Sequence, residues 1–154
     1  KEAWVKMKIN HITDTDMVTK LYQASKAGVK IDIVIRGNCS LVPGLKGLSE
    51  NIRCVGIIDR YLEHSRILIF ANGGKPRFFI GSADWMPRNL LNRIEVLTPV
   101  YDEEMQTDLM RTISYGMRDS TNGRLIDGKG TDDFVNGEPF RSQEELYKEL
   151  KSKY

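Results

Sequence analysis

Short stretches in which hydrophobic and polar residues alternate recur along the chain, and they predict β-strands. In VKIDIVIRG, at residues 29–37, three isoleucines fall on one face of the strand, and Asp32 and Arg36 fall on the other. The segment SRILIFANGGKPRFFIGSAD predicts two strands that are joined by a turn at residues 72–74. The remaining predicted strands cover residues 3–9, 52–58 and 94–100.

Other segments carry apolar residues at helical spacing. Residues 14–28 predict a helix that Asp14 or Thr15 caps and Gly28 closes. Residues 87–93 predict a short helical or irregular turn, and residues 142–154 predict a final helix with a capping box from Ser142 to Glu145. Residues 102–119 predict a helix whose apolar face consists of Met105, Leu109, Ile113 and Met117.

The order of these elements predicts an α/β fold with a mixed β-sheet flanked by helices. The first strand, helix and strand form a unit that should cross over right-handedly to a parallel partner. The following loop, residues 37–51, leaves the carboxyl end of a strand, where α/β proteins bind ligands. The Gly- and Asp-rich residues 120–140 predict an extended or hairpin excursion.

Composition adds limits on the kind of protein. The 154 residues, 40% hydrophobic and 29% charged, suit one domain. No apolar stretch approaches the ~20 residues of a membrane span. The first ten residues lack the apolar core of a signal peptide and suggest a strand already in progress, so we expect a fragment of a longer chain. Cys39 and Cys54 have no metal-like spacing, which favours reduced thiols and a cytoplasmic location.

The net charge of +2 is unevenly distributed. Residues 30–93 hold ten Lys or Arg and five Asp or Glu, a balance of +5, so the rest of the chain sums to −3. A basic middle suggests a polyanionic partner there. Ordinary variation of a solvated surface remains an alternative.

Chemically useful side chains gather at the two strands of the predicted hairpin. His64 and Arg66 share a face at the beginning of one strand, and Ser82 and Asp84 share a face at the end of its partner. Antiparallel pairing should bring all four together. A histidine, a guanidinium and a hydroxyl form a phosphate site that contains an acid, base or nucleophile, and a neighbouring acid can set the histidine tautomer.

Arg36, at the end of its own strand, is a third candidate phosphate ligand. The alternative for Arg66 is a structural ion pair with Glu63 or Asp84. The simpler interpretation of Trp85 and Met86 is that both pack in the core.

The pattern HxR…GSAD resembles the HxK…GSxN signature of the phospholipase D superfamily, with Arg66 in place of the lysine. In that superfamily two such halves face one another. One histidine becomes phosphorylated, and the other acts as the general acid.

The longer segments LYQASKAGVKIDIVIRGNCSLVPGLKGLSENIR, RYLEHSR and SADWMPRNL resemble polyphosphate kinase. The likeness covers residues 4–100 and points to the last catalytic domain, the second of two phospholipase-D-like halves. It implies a phospholipase-D-like half-domain at residues 1–119, with residues 120–154 forming an excursion and a helix of the same domain.

The resemblance also implies an activity. That family moves the γ-phosphate of ATP onto inorganic polyphosphate, reversibly and with Mg²⁺. The phosphorylated histidine lies in the preceding half-domain, which we expect to be a partner outside this chain and to bind most of the Mg²⁺. This chain should supply no metal ligand.

Individual positions follow from the same likeness. His64 corresponds to the second histidine, and Arg36 lies in the VIRG motif at the nucleotide phosphates. Lys8 and Asn10 resemble a K-x-N element, for which a solvated strand end is the alternative. Arg88 and Asn89 follow at a turn beside the site. We also expect Ser82 and Asp84 to contact phosphate.

Departures from the family pattern are few. Asn38, Ser40 and Val42 differ from the usual form of their loop, and Asp59 replaces a usual small residue. The full-length protein should form a homo-oligomer in the cytoplasm, where a peripheral membrane association is also compatible, and should not bind nucleic acid.

Two other functions remain open. One is a phosphodiesterase half of the phospholipase D type that dimerises, which Lys at position 66 and Asn at position 84 would favour. The other is a polyphosphate-binding or structural module without chemistry.

Overall fold

The computed structural model describes residues 2–153, which form a mixed seven-stranded sheet with helices packed against it. The helices are α1 (Thr15–Lys26), α2 (Glu103–Arg118) and α3 (Ser142–Lys153). The strands, which lie in the order β6-β5-β4-β1-β2-β3-β7, are β1 (Trp4–Ile9), β2 (Lys30–Ile35), β3 (Ile52–Ile57), β4 (Arg66–Phe70), β5 (Arg77–Gly81), β6 (Leu97–Val100) and β7 (Gly123–Ile126). The α/β class and the flanked mixed sheet are confirmed.

The first three strands form the parallel part of the sheet. Helix α1 connects β1 to β2, which pair in parallel from Trp4 opposite Lys30 to Ile9 opposite Ile35. The Asp14 side chain caps α1 by accepting from the backbone N–H of Met17 at 3.0 Å. Since β1 and β2 end level with each other, the residues that follow them emerge at the same edge of the sheet.

The hairpin of β4 and β5 lies on the other side of β1. Strand β4 runs antiparallel to β1, with Ile67 opposite Lys8. The beginning of β4, at Arg66, therefore lies at the edge where β1 ends. Strand β5 pairs antiparallel with β4, and a 3-10 turn at Asn72–Gly74 joins them as predicted.

Two hydrophobic clusters hold the layers together. One packs α1 against β1–β3 through residues such as Leu21, Ile33 and Cys54. The other packs α2 against β2–β5 through residues such as Ile113, Ile69 and Phe78. Trp85 belongs to the first cluster, so its interpretation as a core residue is confirmed.

Three local predictions require correction. Met105 is 61% exposed and does not belong to the buried face of α2. Strand β6 begins at Leu97, three residues later than predicted. The capping box is not formed, because the Ser142 hydroxyl donates to Asp119.

The prediction of an extended or hairpin segment within residues 120–140 is confirmed. Gly123–Ile126 forms β7, which pairs with β3, and the chain then returns antiparallel beside β7. The backbone N–H of Leu125 donates to the Asp133 carbonyl at 2.7 Å, and that of Val135 donates to the Gly123 carbonyl at 3.0 Å.

Candidate active site

The sheet topology gathers one group of polar side chains. Asn10 follows β1, Arg36 follows β2, and Arg66 begins β4. Because β1 and β2 are parallel and β4 is antiparallel to β1, all three residues lie at the same edge of the sheet. This edge is where an open α/β sheet ordinarily binds its ligand.

Asp84 links these residues. One of its oxygens, Oδ1, accepts from the backbone N–H of Asn10 at 3.0 Å and of His11 at 3.3 Å. Arg66 donates from Nε to Oδ1 at 3.3 Å and from Nη2 to Oδ2 at 3.1 Å. Burial alone would raise the pKa of Asp84, but the hydrogen bonds from Arg66 and the two N–H groups outweigh it and lower that pKa.

Ser82 does not share this contact, which corrects the expected convergence. Directly opposite residues share a face of an antiparallel pair, and Arg66 lies opposite Gly81. Ser82 would therefore fall on the other face. The strand ends at Gly81, and the bend that follows returns Asp84 to the face of Arg66.

Arg66 also contacts His64. Its Nη1 lies 3.0 Å from Nδ1 and 3.2 Å from Nε2 of the imidazole, and it donates to the His64 carbonyl at 3.0 Å. The histidine side chain is exposed, whereas Arg66 is half-buried. A guanidinium can only donate and a neutral imidazole has one acceptor nitrogen, so only one of the two ring contacts can be a hydrogen bond.

Arg36 extends the cluster towards β2. Its Nε donates to Oδ1 of Asn10 at 2.8 Å. The Asn10 side chain is fully buried, and within residues 2–153 its Nδ2 has no hydrogen-bond partner. A buried donor of this kind is rare and calls for an explanation such as a bound acceptor.

Gly37, directly after Arg36, permits a close approach of two chain segments. A Cβ atom at this position would lie 2.3 Å from the His11 ring and 2.9 Å from the Asn10 carbonyl. The glycine therefore allows the end of β2 to contact the segment that follows β1.

Lys8 is only 3% exposed and supports the loop that carries the histidine. Its ammonium lies 2.9 Å from Glu63 and donates to the Ser65 hydroxyl at 2.7 Å. Lys8 thus contacts the residues on both sides of His64. Burial lowers the pKa of Lys8, and the charge of Glu63 partly offsets this effect.

A second polar cluster lies beside the first. The Glu95 carboxylate accepts from the Ser82 hydroxyl and from Asn89 Nδ2, the latter at 2.7 Å. These two hydrogen bonds lower the pKa of Glu95, and the more distant charge of Arg66 contributes in the same direction. Arg88 is exposed at the start of the π-helical turn Arg88–Asn92, and within residues 2–153 its side chain forms no hydrogen bond or ion pair with either cluster.

Sequence reasoning missed Glu95 and Gln143 as members of this region, and it considered Glu63 only as a partner of Arg66, whereas Glu63 pairs with Lys8. Glu63 and Gln143 are 80 residues apart, so no local pattern relates them. Glu95 is a charged residue between Ile94 and Val96, and an acid in an apolar stretch is the one signal that could have indicated it.

The carboxylates of this region do not suit a magnesium ion. Mg²⁺ needs oxygen ligands in octahedral geometry. Both oxygens of Asp84 accept from Arg66, and Glu63 is paired with Lys8 and Gln143. Residues 2–153 contain no group of three or more His, Cys, Asp or Glu side chains placed to hold a metal ion.

No helix within residues 2–153 has the length and apolar character that a membrane crossing needs.

Comparisons with known proteins now add to this geometry. Residues 1–144 match the family described as Polyphosphate kinase C-terminal domain 2. A polyphosphate kinase of Vibrio vulnificus is 46% identical over 155 residues, which cover 99% of this chain and 22% of the relative. The chain therefore spans about a fifth of the length of that relative.

Two solved structures are also similar. The crystal structure of polyphosphate kinase from Porphyromonas gingivalis superimposes with a TM-score of 0.94 at 42% identity, covering 99% of this chain and 24% of that one. The phospholipase D family member Nuc from Salmonella typhimurium gives a TM-score of 0.61 at 15% identity, covering 82% and 84%. The second likeness concerns the fold alone.

Proposed function

Because the chain belongs to the polyphosphate kinase family, as its C-terminal domain, we propose that it forms one half of an active site that transfers the γ-phosphate of ATP reversibly to inorganic polyphosphate. The other half is a preceding half-domain of the same polypeptide, which carries the histidine that becomes phosphorylated. The cytoplasm, where ATP is available, is the proposed location, and the full-length enzyme is proposed to be a homo-oligomer.

One observation carries the proposal. Arg36, Arg66 and Asn10 meet at one edge of the sheet, next to the exposed imidazole of His64. The Nδ2 atom of Asn10 has no hydrogen-bond partner within residues 2–153. Within residues 2–153, the terminal nitrogens of Arg36 have no hydrogen-bond partner. Guanidinium and amide donors that converge beside a histidine suit a phosphate chain that undergoes transfer.

His64 is assigned the role of general acid. Phosphate oxygens are good acceptors for Arg66 Nη1 and would replace the imidazole as its partner. The ring would then be free to face the phosphate chain. As an imidazolium it can give its proton to the bridging oxygen of the leaving ADP or polyphosphate.

The other residues have different roles. Asp84 holds the guanidinium plane of Arg66, and Lys8 holds the loop on both sides of His64. Ser82 and Asn89 act through Glu95 at the border of the site, and Arg88 attracts the polyanion from the rim. Mg²⁺ is assigned to the other half, since the carboxylates here are already paired.

A phosphodiesterase dimer is the alternative. It receives fold support from the phospholipase D neighbours. The buried ion pair of Arg66 and Asp84 favours the kinase, because these two positions would carry Lys and Asn in the phosphodiesterase pattern.

The proposal is tested in the full-length enzyme with His64→Ala, Arg66→Ala and Arg36→Ala. His64→Ala should reduce kcat by about 10²–10⁴-fold with little change in direct ATP binding, because a positioned proton donor acts in the transition state. The two arginine variants should weaken both ATP binding and turnover, because guanidinium contacts exist in ground and transition states. Arg77→Ala, an exposed arginine on β5, is the matched control.

Phosphorylation of the other histidine is followed in parallel with an acid-labile label. Normal turnover of His64→Ala would make this histidine structural. ATP binding that is unaffected by both arginine variants would remove them from the phosphate site.

A further inference from the structure

The loop between β3 and β4 carries His64, yet its own residues provide little to hold it. Residues 58–65 contain no helix or strand, and Ile58, Tyr61 and Leu62 are exposed. A general acid must be held in place to be effective. The contacts that fix this loop therefore matter for the reaction.

Gln143, in the first turn of α3, makes three of these contacts. Its Oε1 accepts from the backbone N–H of Tyr61 at 2.9 Å, and its Nε2 donates to the Tyr61 carbonyl at 2.8 Å. The same Nε2 donates to Oε1 of Glu63 at 2.6 Å. The amide thus grips the loop backbone and a loop side chain together.

Glu63 links Gln143 to the backbone around His64. Its second oxygen, Oε2, lies 2.9 Å from the ammonium of Lys8, which also donates to Ser65. Glu63 and Ser65 flank His64. The backbone of the histidine is consequently fixed between a strand residue and a helix residue.

Helix α3 is itself anchored beside the loop. Arg141 forms a two-pronged ion pair with Asp59, at 2.6 and 3.0 Å. Its hydrogen bonds lower the pKa of Asp59, so the pair stays charged. Asp119, at the end of α2, accepts from the backbone N–H of Ser142 at 2.8 Å, which fixes the beginning of α3.

From this arrangement we infer that Gln143 is a positioning residue for the transfer reaction, which acts on His64 through Tyr61 and Glu63. The inference rests on the proposed role of His64. The hydrogen-bond partners of the Gln143 amide are the loop backbone and a carboxylate that is paired with Lys8, not the arginines of the proposed phosphate site. The loss of Gln143 should therefore change the rate of transfer and leave substrate binding almost intact.

The test compares three variants of the full-length enzyme. Gln143→Ala removes all the contacts, Gln143→Met keeps the volume without the polar atoms, and Glu145→Ala is a control on the same helix whose side chain pairs with Lys148. Both Gln143 variants should lose about 10- to 100-fold in kcat. Their KM values for ATP and polyphosphate should change less than about twofold. Their Tm should equal that of Glu145→Ala. Gln143→Met decides the matter if the alanine variant folds poorly.

A double-mutant cycle shows whether Gln143 acts through Glu63. Glu63→Ala and Gln143→Ala, when combined, should lose clearly less than the product of their separate losses, because both remove the same restraint. Losses that simply multiply, or a kcat for Gln143→Met equal to that of Glu145→Ala, would overturn the inference. His64→Ala is measured alongside, and its normal turnover would reject the proposed role of His64 independently of the cycle.

Discussion

Arg66 and Arg36 use their guanidinium groups in different ways, although both border the same site. Arg66 donates from two nitrogens to Asp84, and its third nitrogen contacts His64. Arg36 donates only from Nε, to Asn10. The planar fork allows one edge of each guanidinium to be held by the protein while another edge can serve the proposed phosphate site.

This division of contacts predicts the outcome of Arg36→Lys in the full-length enzyme. A lysine ammonium can replace the contact to Asn10 or a contact to phosphate, but it lacks the geometry for both. A lost hydrogen bond to a charged group costs about 1.5–3 kcal/mol, so kcat/KM for ATP should fall by about 10- to 100-fold. Steady-state kinetics beside Arg77→Lys, an exposed control, measure the change. Full activity of Arg36→Lys would mean that charge alone suffices here.

Asp119 attaches the beginning of helix α3 to the end of α2. One oxygen of this buried carboxylate accepts from the backbone N–H groups of Thr121, Asn122 and Gly123, and the other accepts from Ser142. Burial raises the pKa of Asp119, but the hydrogen bonds from Ser142 and the following turn outweigh burial and lower it. The end of α2, the turn before β7 and the beginning of α3 thus share one anion.

Asp119→Asn should destabilise the domain by about 1–3 kcal/mol at pH 7. Asn has only one acceptor oxygen, so it cannot accept both from the turn after α2 and from Ser142. Urea unfolding measures the free energy. Asp102→Asn, at the N-cap of α2, is the control and should change little, since Asn and Asp cap helices equally well.

The same variant changes the response to acid. A carboxyl whose folded pKa is depressed contributes stability above its unfolded pKa, and this stability is lost as the pH falls through the folded value. Below about pH 4, the free energy of unfolding should therefore decline less steeply in Asp119→Asn than in the parent domain. Equal slopes would show that another carboxyl controls acid unfolding.

The chain as a unit contains its own core but only one half of the proposed chemistry. Both hydrophobic clusters are built from its own strands and helices. The site supplies one exposed histidine, His64, while the His11 ring accepts from the Asn38 backbone at 3.0 Å. One histidine cannot be both the phosphate carrier and the opposing acid.

We therefore expect the isolated chain to fold cooperatively and to be inactive. Circular dichroism should show a single thermal transition, and incubation with ATP, polyphosphate and Mg²⁺ should release no ADP above background. The full-length enzyme is the positive control. Robust ATP turnover by the monomer would contradict this prediction, and cleavage of a phosphodiester by a dimer would favour the alternative function.

Local pattern was sufficient for most of the elements. The alternation in VKIDIVIRG and the helical spacing in residues 102–119 predict which side chains each element buries, because apolar residues recur with the period of the element. The sequence predicted an extended or hairpin segment within residues 120–140 but not the pairing of Gly123–Ile126 with β3, because that pairing joins elements far apart in the chain. The predicted apolar face of α2 likewise began one turn too early, because Met105 is exposed in the folded domain.

The site divides in the same way. His64 and Arg66 could be paired from their spacing, since His64 lies two residues before Arg66, the first residue of β4. The edge at which Arg36 emerges follows from the parallel crossover. The choice of Asp84 over Ser82 depended on where β5 ends, and the grip of Gln143 on the loop joins residues 80 apart. Periodicity reports the environment within one element, whereas such contacts depend on how separate elements pack, and that is settled only when the chain has folded.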